Sequence, residues 1–451
     1  AQDVSGKWAL WARVRPPGED WGPVANLSDW NEYLEKTRPT HWDAGVNPDG
    51  SVVALWLAAD SSQAGDNVVV RSAHRPPGGS WQIVALSDGY ETAVRGADLH
   101  LGPGGNLAAV WVACVSLENP AQGSCHVRVR RNPAGAETWL PVEHADETFS
   151  SEGISEAYVL VGPGGLTTVL WLQADTSTPA RWAVMARAFS PEPAPGAWDP
   201  SPANLSGWKT YIELSAPVTD PGGTVTAAWF TVGPAPAKRG NYASTRSAAT
   251  GTWSGAVAIS RLRSGFRLYP PTLAVGQDGT VVAVWIYRAQ PTESYLLANA
   301  RDPGAVWGGE VELHGRTNLM FGDLELGVWP NGSTIVLYDL IDPSHPKTED
   351  EMLRWTVRGP RGAWGDGGQG DLTGWLTGIR ASGLGLGDDG SAVAAWRLED
   401  AGRPAGQEHA LFAATWPPGG GFRQPVRVSD WSDYTRVRPE GLAVGREGRP
   451  V

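Results

Sequence analysis

The sequence contains little methionine, phenylalanine or lysine: 3 Met, 7 Phe and 5 Lys occur among 451 residues. Glycine, proline and tryptophan are abundant instead, with 57, 36 and 24 copies respectively. Glycine and proline suit tight turns between many short strands, and tryptophan suits a β-sheet core. The composition therefore excludes a helical bundle and predicts an all-β fold.

Positive charge and long apolar runs are also scarce. The chain has 48 acidic and 36 basic residues, which gives a net charge of −12. This balance repels the phosphates of nucleic acid and the surface of an anionic membrane. No run of about 18 apolar residues occurs, and no charged and apolar leader opens the sequence. We therefore expect no nucleic-acid partner and no direct membrane insertion.

Cysteine is nearly absent, and the two copies lie close together. Cys114 and Cys125 flank the stretch "VSLENPAQGS". If they end one strand and begin the next, they face each other across a hairpin and form a disulfide; the alternative is two reduced thiols. We predict the disulfide, which implies an oxidising compartment and therefore a secreted or cell-surface protein.

A turn followed by an apolar strand recurs along the whole chain, as in "NPDGSVVALW" and "GPGGNLAAVW". Successive copies are 53 to 60 residues apart, a period typical of propellers and solenoids. The eight copies are aligned on Gly50, Gly105, Gly165, Gly223, Gly279, Gly332, Gly390 and Gly448.

Each copy contains the pattern of four short antiparallel strands. In the first copy, the strand "SVVALW" is followed by a variable loop, the strand "NVVVRSAHR", the tight turn "PPGGSW" and a strand that ends near "LSD". The sequence begins with a third and fourth strand and ends as a second strand begins, so the repeat register closes across the termini with an interval of 53 residues. A solenoid needs capping repeats, whereas a ring completes its last blade from both termini.

The sequence therefore predicts an all-β fold: an eight-bladed β-propeller of four-stranded antiparallel blades, closed by pairing the N- and C-terminal strands in one blade. It forms a single domain over 1–451. The predicted blades span 31–89, 90–147, 148–208, 209–261, 262–316, 317–375 and 376–431, and 432–451 together with 1–30.

Tryptophan recurs at two places in the repeat. One series ends the second strand, and the other follows the tight turn before the fourth strand. Exposed indoles form platforms for sugars, while buried indoles pack one sheet against the next. We favour packing, because a residue present in nearly every copy meets a need of every copy. The second-strand series is Trp56, Trp111, Trp171, Trp229, Trp285 and Trp396, with Tyr338 in the sixth copy.

The turn "RDPGAVW" places Asp302, Gly304 and Trp307 in the spacing D-x-G-x-x-W. This resembles the Asp-box of sialidase-like β-propeller repeat proteins, although Pro16 and Pro76 replace the aspartate in two other copies. The resemblance implies the propeller fold, with these hairpins away from the catalytic face. Sialidase-like enzymes combine an arginine triad, a tyrosine nucleophile backed by a glutamate, and an acid–base aspartate. Their R-I-P motif is absent here, so the resemblance assigns no residue to these roles.

The links between the fourth strand and the next copy vary most, so we expect function on the loop face that they form. Positions ten and twelve residues before each anchor glycine are rich in arginine and tyrosine, with Glu156, Glu213 and Asp323 as nearby carboxylates. Arginine binds carboxylates through two parallel hydrogen bonds, which favours an acidic sugar or peptide as ligand. The predicted ligand-binding residues are Arg38, Arg95, Tyr211, Glu213, Tyr269, Arg380 and Arg438.

No motif identifies catalytic residues, a cofactor or a metal site. His41, His100 and His314 are interpreted as structural, and the acidic stretches 145–149 and 341–351 as solvated loops rather than calcium sites. The first hypothesis is therefore a non-catalytic secreted or cell-surface recognition or scaffold propeller that binds a glycan or protein on its variable loop face, within a larger extracellular assembly.

The alternative hypothesis is a glycoside hydrolase or polysaccharide lyase that acts on an acidic sugar at the mouth of the central channel. The two hypotheses differ in a geometric expectation. An enzyme should bring at least three arginines together beside Tyr269 or Tyr211, from the set Arg38, Arg95, Arg267, Arg380, Arg436 and Arg438.

Overall fold

The computed structural model describes most of the chain between residues 10 and 429. The described residues are 10–12, 14, 22–28, 42–46, 50–59, 68–87, 93–114, 125–136, 138–146, 153–175, 181–232, 239–264, 267–290, 293–342, 350–400, 403–404 and 408–429. The chain divides into two compact units. The first comprises Ala1–Val232 and Ala243–Val257, and the second comprises Gly233–Tyr242 and Ala258–Val451.

The first unit contains three complete antiparallel sheets and a two-stranded sheet, β1-β2. The complete sheets have the strand orders β3-β4-β5-β6, β7-β8-β9-β10 and β11-β12-β13-β14, with β15 also pairing β13. Two 3₁₀ turns, Pro103–Gly105 and Pro163–Gly165, precede β8 and β12. The strands are β1 Trp11–Ala12, β2 Ala25–Asn26, β3 Trp42–Val46, β4 Val52–Ala59, β5 Val68–Arg75, β6 Gln82–Ala85, β7 Ala93–Leu101, β8 Leu107–Cys114, β9 Cys125–Asn132, β10 Glu143–His144, β11 Ile154–Val161, β12 Thr167–Asp175, β13 Arg181–Ser190, β14 Ala197–Trp198 and β15 Ala203–Asn204.

A fourth complete sheet has the order β16-β18-β19-β20, with β17 also pairing β18, and the unit boundary falls within β19. Its strands are β16 Tyr211–Leu214, β17 Val218–Thr219, β18 Val225–Val232, β19 Arg239–Arg246 and β20 Val257–Ala258.

The second unit contains three further antiparallel sheets. Their orders are β21-β23-β24-β25 with β22 on β23, β26-β27-β28-β29 with β30 on β28, and β31-β32-β33-β34. The strands are β21 Arg267–Leu268, β22 Thr272–Val275, β23 Val281–Gln290, β24 Glu293–Arg301, β25 Val311–Thr317, β26 Met320–Val328, β27 Thr334–Asp342, β28 Asp350–Arg358, β29 Trp364–Asp371, β30 Leu376–Thr377, β31 Ile379–Leu386, β32 Ala392–Glu399, β33 His409–Trp416 and β34 Val426–Arg427.

Seven antiparallel four-stranded sheets with almost no helix match a propeller-like fold. The prediction of an all-β chain built from repeated four-stranded units is confirmed at this level. The predicted closing blade depends on residues 432–451, which lie outside the described residues, as do the flanks of β1 and β2. No helix within the described part of the chain is long and apolar enough to span a membrane.

The anchor glycines make the turn that starts each second strand. In the seven described copies their φ angles lie between 82° and 88°. Side chains other than glycine rarely adopt this left-handed conformation, because the Cβ atom then crowds the backbone. The repeat therefore keeps glycine at this position while the neighbouring turn residues vary.

The second-strand tryptophans form the cores of the sheets. Trp56, Trp111, Trp171, Trp229, Trp285 and Trp396 are at most 1% exposed, and Tyr338 is 3% exposed. Trp171 packs against Val127, Val129 and Val159, and so joins two neighbouring sheets of the first unit. The packing interpretation of this series is confirmed, because side chains this buried offer no face to a sugar.

A hydrogen bond between the end of the fourth strand and the third strand recurs in most sheets. In the first copy, the hydroxyl of Ser87 accepts a hydrogen bond from the N–H of Val70. We call this contact the hydroxyl latch. It satisfies a buried N–H group that would otherwise lack a partner at the sheet edge. The other hydroxyls that accept this bond belong to Ser28, Ser206, Ser260, Thr373 and Ser429.

The disulfide lies at the mouth of the β8–β9 hairpin. Cys114 and Cys125 are ladder partners, their Cα atoms are 4.1 Å apart, and a disulfide bond joins their Sγ atoms. The covalent link therefore closes the loop between these strands.

Candidate active site

The first strand is irregular at one place in six of the seven larger described sheets; β3 pairs with β4 without a shift. The pairing register shifts at Ser155/Ala157 in β11 and at Phe321/Leu324 in β26. Similar shifts occur at Val94/Ala97 in β7 and at Arg380/Ser382 in β31. β-bulges of this kind re-aim side chains and often lie beside functional sites.

Two other sheets interrupt the first strand completely. The gap lies between β16 and β17 in one sheet, and between β21 and β22 in the other. These irregularities coincide with the positions ten residues before the anchor glycines, among them Glu213 at the end of β16 and Tyr269 just after β21.

In the first unit, β16 brings together the predicted residues Tyr211 and Glu213. The Tyr211 hydroxyl donates a hydrogen bond to Oε1 of Glu213. Tyr211 is 46% exposed, its ring packs edge-on against Phe230 with a centroid distance of 5.8 Å, and its carbonyl accepts a bond from the Thr231 hydroxyl. The phenol is thus held at the surface with a carboxylate ready to accept its proton.

Glu156 lies in the β11 bulge, and its carboxyl interacts electrostatically with the carboxylate of Glu213. Its backbone has φ 40°, a conformation that is uncommon for residues other than glycine. The side chain is exposed overall, yet its carboxyl is shielded from part of the solvent. This desolvation, and then the negative charge of Glu213, raises the pKa of Glu156. The protonated form is therefore favoured over a wider pH range than for an ordinary glutamate.

Tyr158 and Asp98 complete the polar cluster of this unit. Burial, then the charges of Glu156 and Asp98, raises the pKa of Tyr158 to about 12. Asp98 is fixed by a 2.8 Å hydrogen bond from the Val159 N–H. Tyr158 therefore stays neutral at physiological pH, and it donates or accepts a hydrogen bond only as a phenol.

His100, on the same strand as Asp98, has a structural role. Its Nδ1 accepts a 3.1 Å hydrogen bond from the Val161 N–H. Burial lowers its pKa to about 4, so the ring is neutral at physiological pH. The side chains of Asp98 and His100 therefore accept hydrogen bonds from backbone N–H groups on the edge of β11 next to β7.

In the second unit, Tyr269 lies between two arginines. The guanidinium carbon of Arg267 is 4.4 Å from the centre of the Tyr269 ring, and that of Arg288 is 5.6 Å away. Arg267 is exposed, Arg288 and Tyr269 are half-buried, and neither guanidinium forms an ion pair with any described carboxylate. The pair is therefore available to a carboxylate ligand.

A neighbouring arginine in the same unit differs in this respect. The guanidinium of Arg263 is bonded to Glu310, and it also lies 4.5 Å from the centre of the Tyr287 ring. Its charge is neutralised within the protein. Arg263 is therefore a structural residue, unlike Arg267 and Arg288.

The second unit also contains an acidic group behind the β26 bulge. Asp339 is 4% exposed, and burial, then the charges of Asp323, Glu351 and Glu325, raises its pKa to about 8. Its Oδ2 accepts a 3.3 Å bond from the Asp323 N–H. Asp339 is thus protonated at neutral pH, and its burial keeps it from direct contact with a substrate.

The other predicted site residues are only partly described. Arg38 and Arg438 lie outside the described residues, as does Arg436. Arg95 lies in β7 and Arg380 in β31, each at a register shift, and the description covers only their backbone. Of the six arginines named for the geometric expectation, Arg267 is the one whose described side chain lies beside a tyrosine, so convergence of three of them stays a prediction.

Arg288 and Asp339 were not predicted, because they lie on second strands rather than at the positions before the anchors. Arg288 could have been found as the cross-strand partner of Arg267, with which it pairs in register. Asp339 follows Tyr338, where most other copies have an apolar residue after tryptophan.

No protein-family model and no curated protein sequence matches the chain. Among solved structures, it is similar to a Hadza microbial sialidase, with a TM-score of 0.40, 13% identity, and coverage of 76% of this chain and 74% of that chain. It is also similar to an ulvan lyase bound to -[GlcA(1-4)Rha3S]-, with a TM-score of 0.43, 11% identity, and coverage of 74% and 82%. The β-propeller domain of the Trilobed protease from Pyrococcus furiosus matches with a TM-score of 0.41, 10% identity, and coverage of 88% and 98%.

These comparisons correct the first functional hypothesis. That hypothesis was a non-catalytic recognition or scaffold propeller. The matched structures are instead mostly enzymes, including polysaccharide lyases and a sialidase. The resemblance to sialidase-like propellers extends to the fold. Identities of 10–13% transfer no reaction to this chain.

Proposed function

We propose that the chain is a glycan-cleaving enzyme, a glycoside hydrolase that uses Tyr211 as its nucleophile. The observation that carries the proposal is the exposed Tyr211 hydroxyl bonded to Glu213, close to a second carboxyl, that of Glu156, whose pKa is raised. A nucleophile bonded to its base, with a separate carboxyl that can act as the acid, is the arrangement that covalent hydrolysis requires.

The three side chains have distinct roles in the proposed reaction. The Tyr211 oxygen attacks the anomeric carbon as its proton passes to Glu213. Glu156, whose raised pKa favours the protonated form, gives its proton to the departing glycosidic oxygen. Water then cleaves the glycosyl–tyrosine bond, with Glu156 as the base and Glu213 returning the proton to the phenol oxygen.

A neutral nucleophile favours an acidic sugar as the substrate. A carboxylate nucleophile would be repelled by an anionic sugar, whereas a phenol meets no such repulsion. We therefore propose a polysaccharide or glycan with sialic or uronic acid units as the substrate.

Turnover of acidic glycans by matched variants tests the proposal. The wild type should release sugars with new reducing ends from sialylated or uronic-acid polymers. Tyr211→Phe should lower kcat by a factor on the order of 10⁴ or more, as for other nucleophiles that act as part of a unit. The control is Tyr295→Phe, because Tyr295 makes a similar 2.6 Å bond to a glutamate two residues away, Glu293, and should retain activity. Equal losses in both variants would contradict the proposed role of Tyr211.

A second reaction, β-elimination on a uronic acid, is favoured by one observation. Tyr269 lies between Arg267 and Arg288, and a lyase needs cations to neutralise the uronate and a nearby base to remove the adjacent proton. Lyase products carry a new carbon–carbon double bond that absorbs ultraviolet light, and hydrolysis products do not. If elimination is the reaction, the absorbance appears and depends on Tyr269 rather than Tyr211.

The finer features of the fold and its location belong to the same proposal. The eight repeat copies support an eight-bladed ring closed by the terminal strands, with one domain over 1–451. The disulfide between Cys114 and Cys125 supports an extracytoplasmic location, where extracellular glycans are the partners.

A further inference from the structure

The hydroxyl latch is altered in one sheet of the first unit. In the sheet formed by β7 to β10, the latch residue is Asp146 rather than serine or threonine. Its Oδ1 accepts a 3.0 Å hydrogen bond from the Val127 N–H, as a hydroxyl does elsewhere. The latch is therefore kept, while the second carboxylate oxygen is left to make a different contact.

That second oxygen faces a histidine that is also particular to this sheet. Oδ2 of Asp146 is 2.9 Å from Nδ1 of His126, which directly precedes the latch donor Val127. The residues at the His126 position in five other sheets are apolar or glycine: Val69, Ala183, Gly240, Met352 and Ala410.

A third exceptional residue lies two positions before the latch, at His144. The same five sheets have Ala85, Asn204, Ala258, Asp371 and Arg427 at that position, none of them a histidine. One of them, Asp371, is a carboxylate. In its sheet, however, Met352 occupies the His126 position and Thr373 is the latch residue, so neither of these positions has an imidazole or a carboxylate. The β7–β10 sheet alone among these sheets has imidazole or carboxylate side chains at all three positions.

The β-ladder brings these three side chains to one face. His144 pairs with Arg128, and Ala145 donates a 2.9 Å hydrogen bond to the Val127 carbonyl, so Asp146 comes opposite His126. Because side chains alternate between the faces of a strand, His126, His144 and Asp146 all lie on the same side.

The geometry of the group fits a single cation. One ligand atom from each residue lies within 4.8 Å of the other two, and within the described part of the chain no other three such side chains meet this condition. The two imidazole rings are 5.0 Å apart at 82° to each other. His126 and Asp146 are both 7% exposed, while His144 is exposed, so two ligands are fixed and the third admits the ion from solvent.

We propose that His126, His144 and Asp146 form a binding site for a divalent transition metal ion, with zinc as the ion that the donor set fits best. Two imidazoles and one carboxylate are a common zinc set, and three protein ligands leave one tetrahedral position open. Calcium and magnesium prefer oxygen ligands only, so they are not expected to bind here.

Zinc at this site would reinforce a weak part of the sheet. The strand β10 has only two residues, and its pairing with β9 is correspondingly short. A metal ion held by His126 on β9 and His144 on β10 would cross-link the two strands. Binding to the folded chain alone should also raise its melting temperature.

Calorimetric titration of the full chain, freed of metal by a chelator, tests the site. The expected result is one zinc ion bound per chain, no binding of calcium, and a higher melting temperature with zinc. Asp146→Ser restores the hydroxyl of the other sheets, so it should keep the latch and weaken zinc binding by at least about tenfold. His144→Asn changes an exposed ligand and should do the same.

The control is His74→Asn, which changes a half-buried histidine on the third strand of another sheet. It should leave zinc affinity unchanged. Circular dichroism establishes that each variant is folded, and if Asp146→Ser is not, the exposed His144 decides the result. Absence of zinc binding in the wild type, or zinc affinity that both site variants retain, would overturn the proposal and leave a structural histidine–aspartate pair.

Discussion

The second strands and the first strands of the repeat differ in what they keep constant. Every described second strand begins after a glycine with φ near 85° and carries a buried aromatic residue. Most first strands instead carry a bulge or a gap, and the residues at or near these places are as different as Tyr211, Glu156 and Arg380. Packing between sheets fixes the second strands, whereas the irregular positions of the first strands are free to carry chemistry. Mutations in the two regions should therefore affect different properties.

The largest expected effect on stability comes from the constant region. Trp171→Ala removes a fully buried indole and should lower the free energy of unfolding by about 3–5 kcal/mol, since the cavity is not refilled. Chemical denaturation measures the change. Trp375→Ala is the control, because Trp375 is 44% exposed, and it should change stability little. Equal losses would mean that burial does not distinguish the two tryptophans.

Glu156→Gln tests the variable region through the pH dependence of kcat. As the proposed acid, Glu156 is active while protonated, so activity should be present below its pKa and lost as the pH rises through it. Because that pKa is raised, the loss should occur at a higher pH than for an ordinary glutamate. The variant should be slower by about 10²-fold or more and should lose this limb of the profile. An unchanged limb would show that another group supplies the proton.

In the alternative elimination reaction at Tyr269, Arg267→Ala should weaken binding of the uronate more than it slows the chemistry. The guanidinium is exposed and without a carboxylate partner among the described residues, so its loss removes a charge-assisted hydrogen bond worth about 1.5–3 kcal/mol. We expect KM to rise by roughly tenfold or more with a small change in kcat. Arg263→Ala would not test this binding role, because the Arg263 guanidinium is bound to Glu310 within the protein. A fall in kcat with constant KM would contradict a binding role.

The smallest expected effect concerns the hydroxyl latch. Ser206→Ala leaves the buried Val184 N–H without its acceptor and should destabilise the chain by about 1 kcal/mol. Ser190→Ala, at the end of β13 in the same sheet, is the comparison. If thermal melting shows that the two variants are equally stable, the hydroxyl latch does not contribute to the stability of the fold.

The sequence was sufficient to predict the repeated part of the fold, because that part follows local rules. Glycine at the turns, alternating strands and a tryptophan in each copy are visible one copy at a time. The pairing of Tyr211 with Glu213 was accessible for the same reason, since both lie at fixed distances before one anchor glycine.

The rest depends on contacts that no linear pattern records. Arg288 lies near Tyr269 because two strands pair. The pKa of Asp339 is raised by burial, and that burial exists only in the packed sheet. His126 and Asp146 are 20 residues apart and meet across a ladder. No short metal-binding motif links them, so no metal site could be predicted from the sequence.

The central claim is that Tyr211 forms a covalent bond with the substrate, and trapping that bond tests the claim most directly. An acidic sugar with a good leaving group and a fluorine that slows the second step should label the wild-type chain. Mass spectrometry of the digested protein should then find the sugar on the peptide that contains Tyr211, with no label in Tyr211→Phe. A label on Tyr269 instead, or cleavage of the sugar with no covalent intermediate at all, would contradict the account.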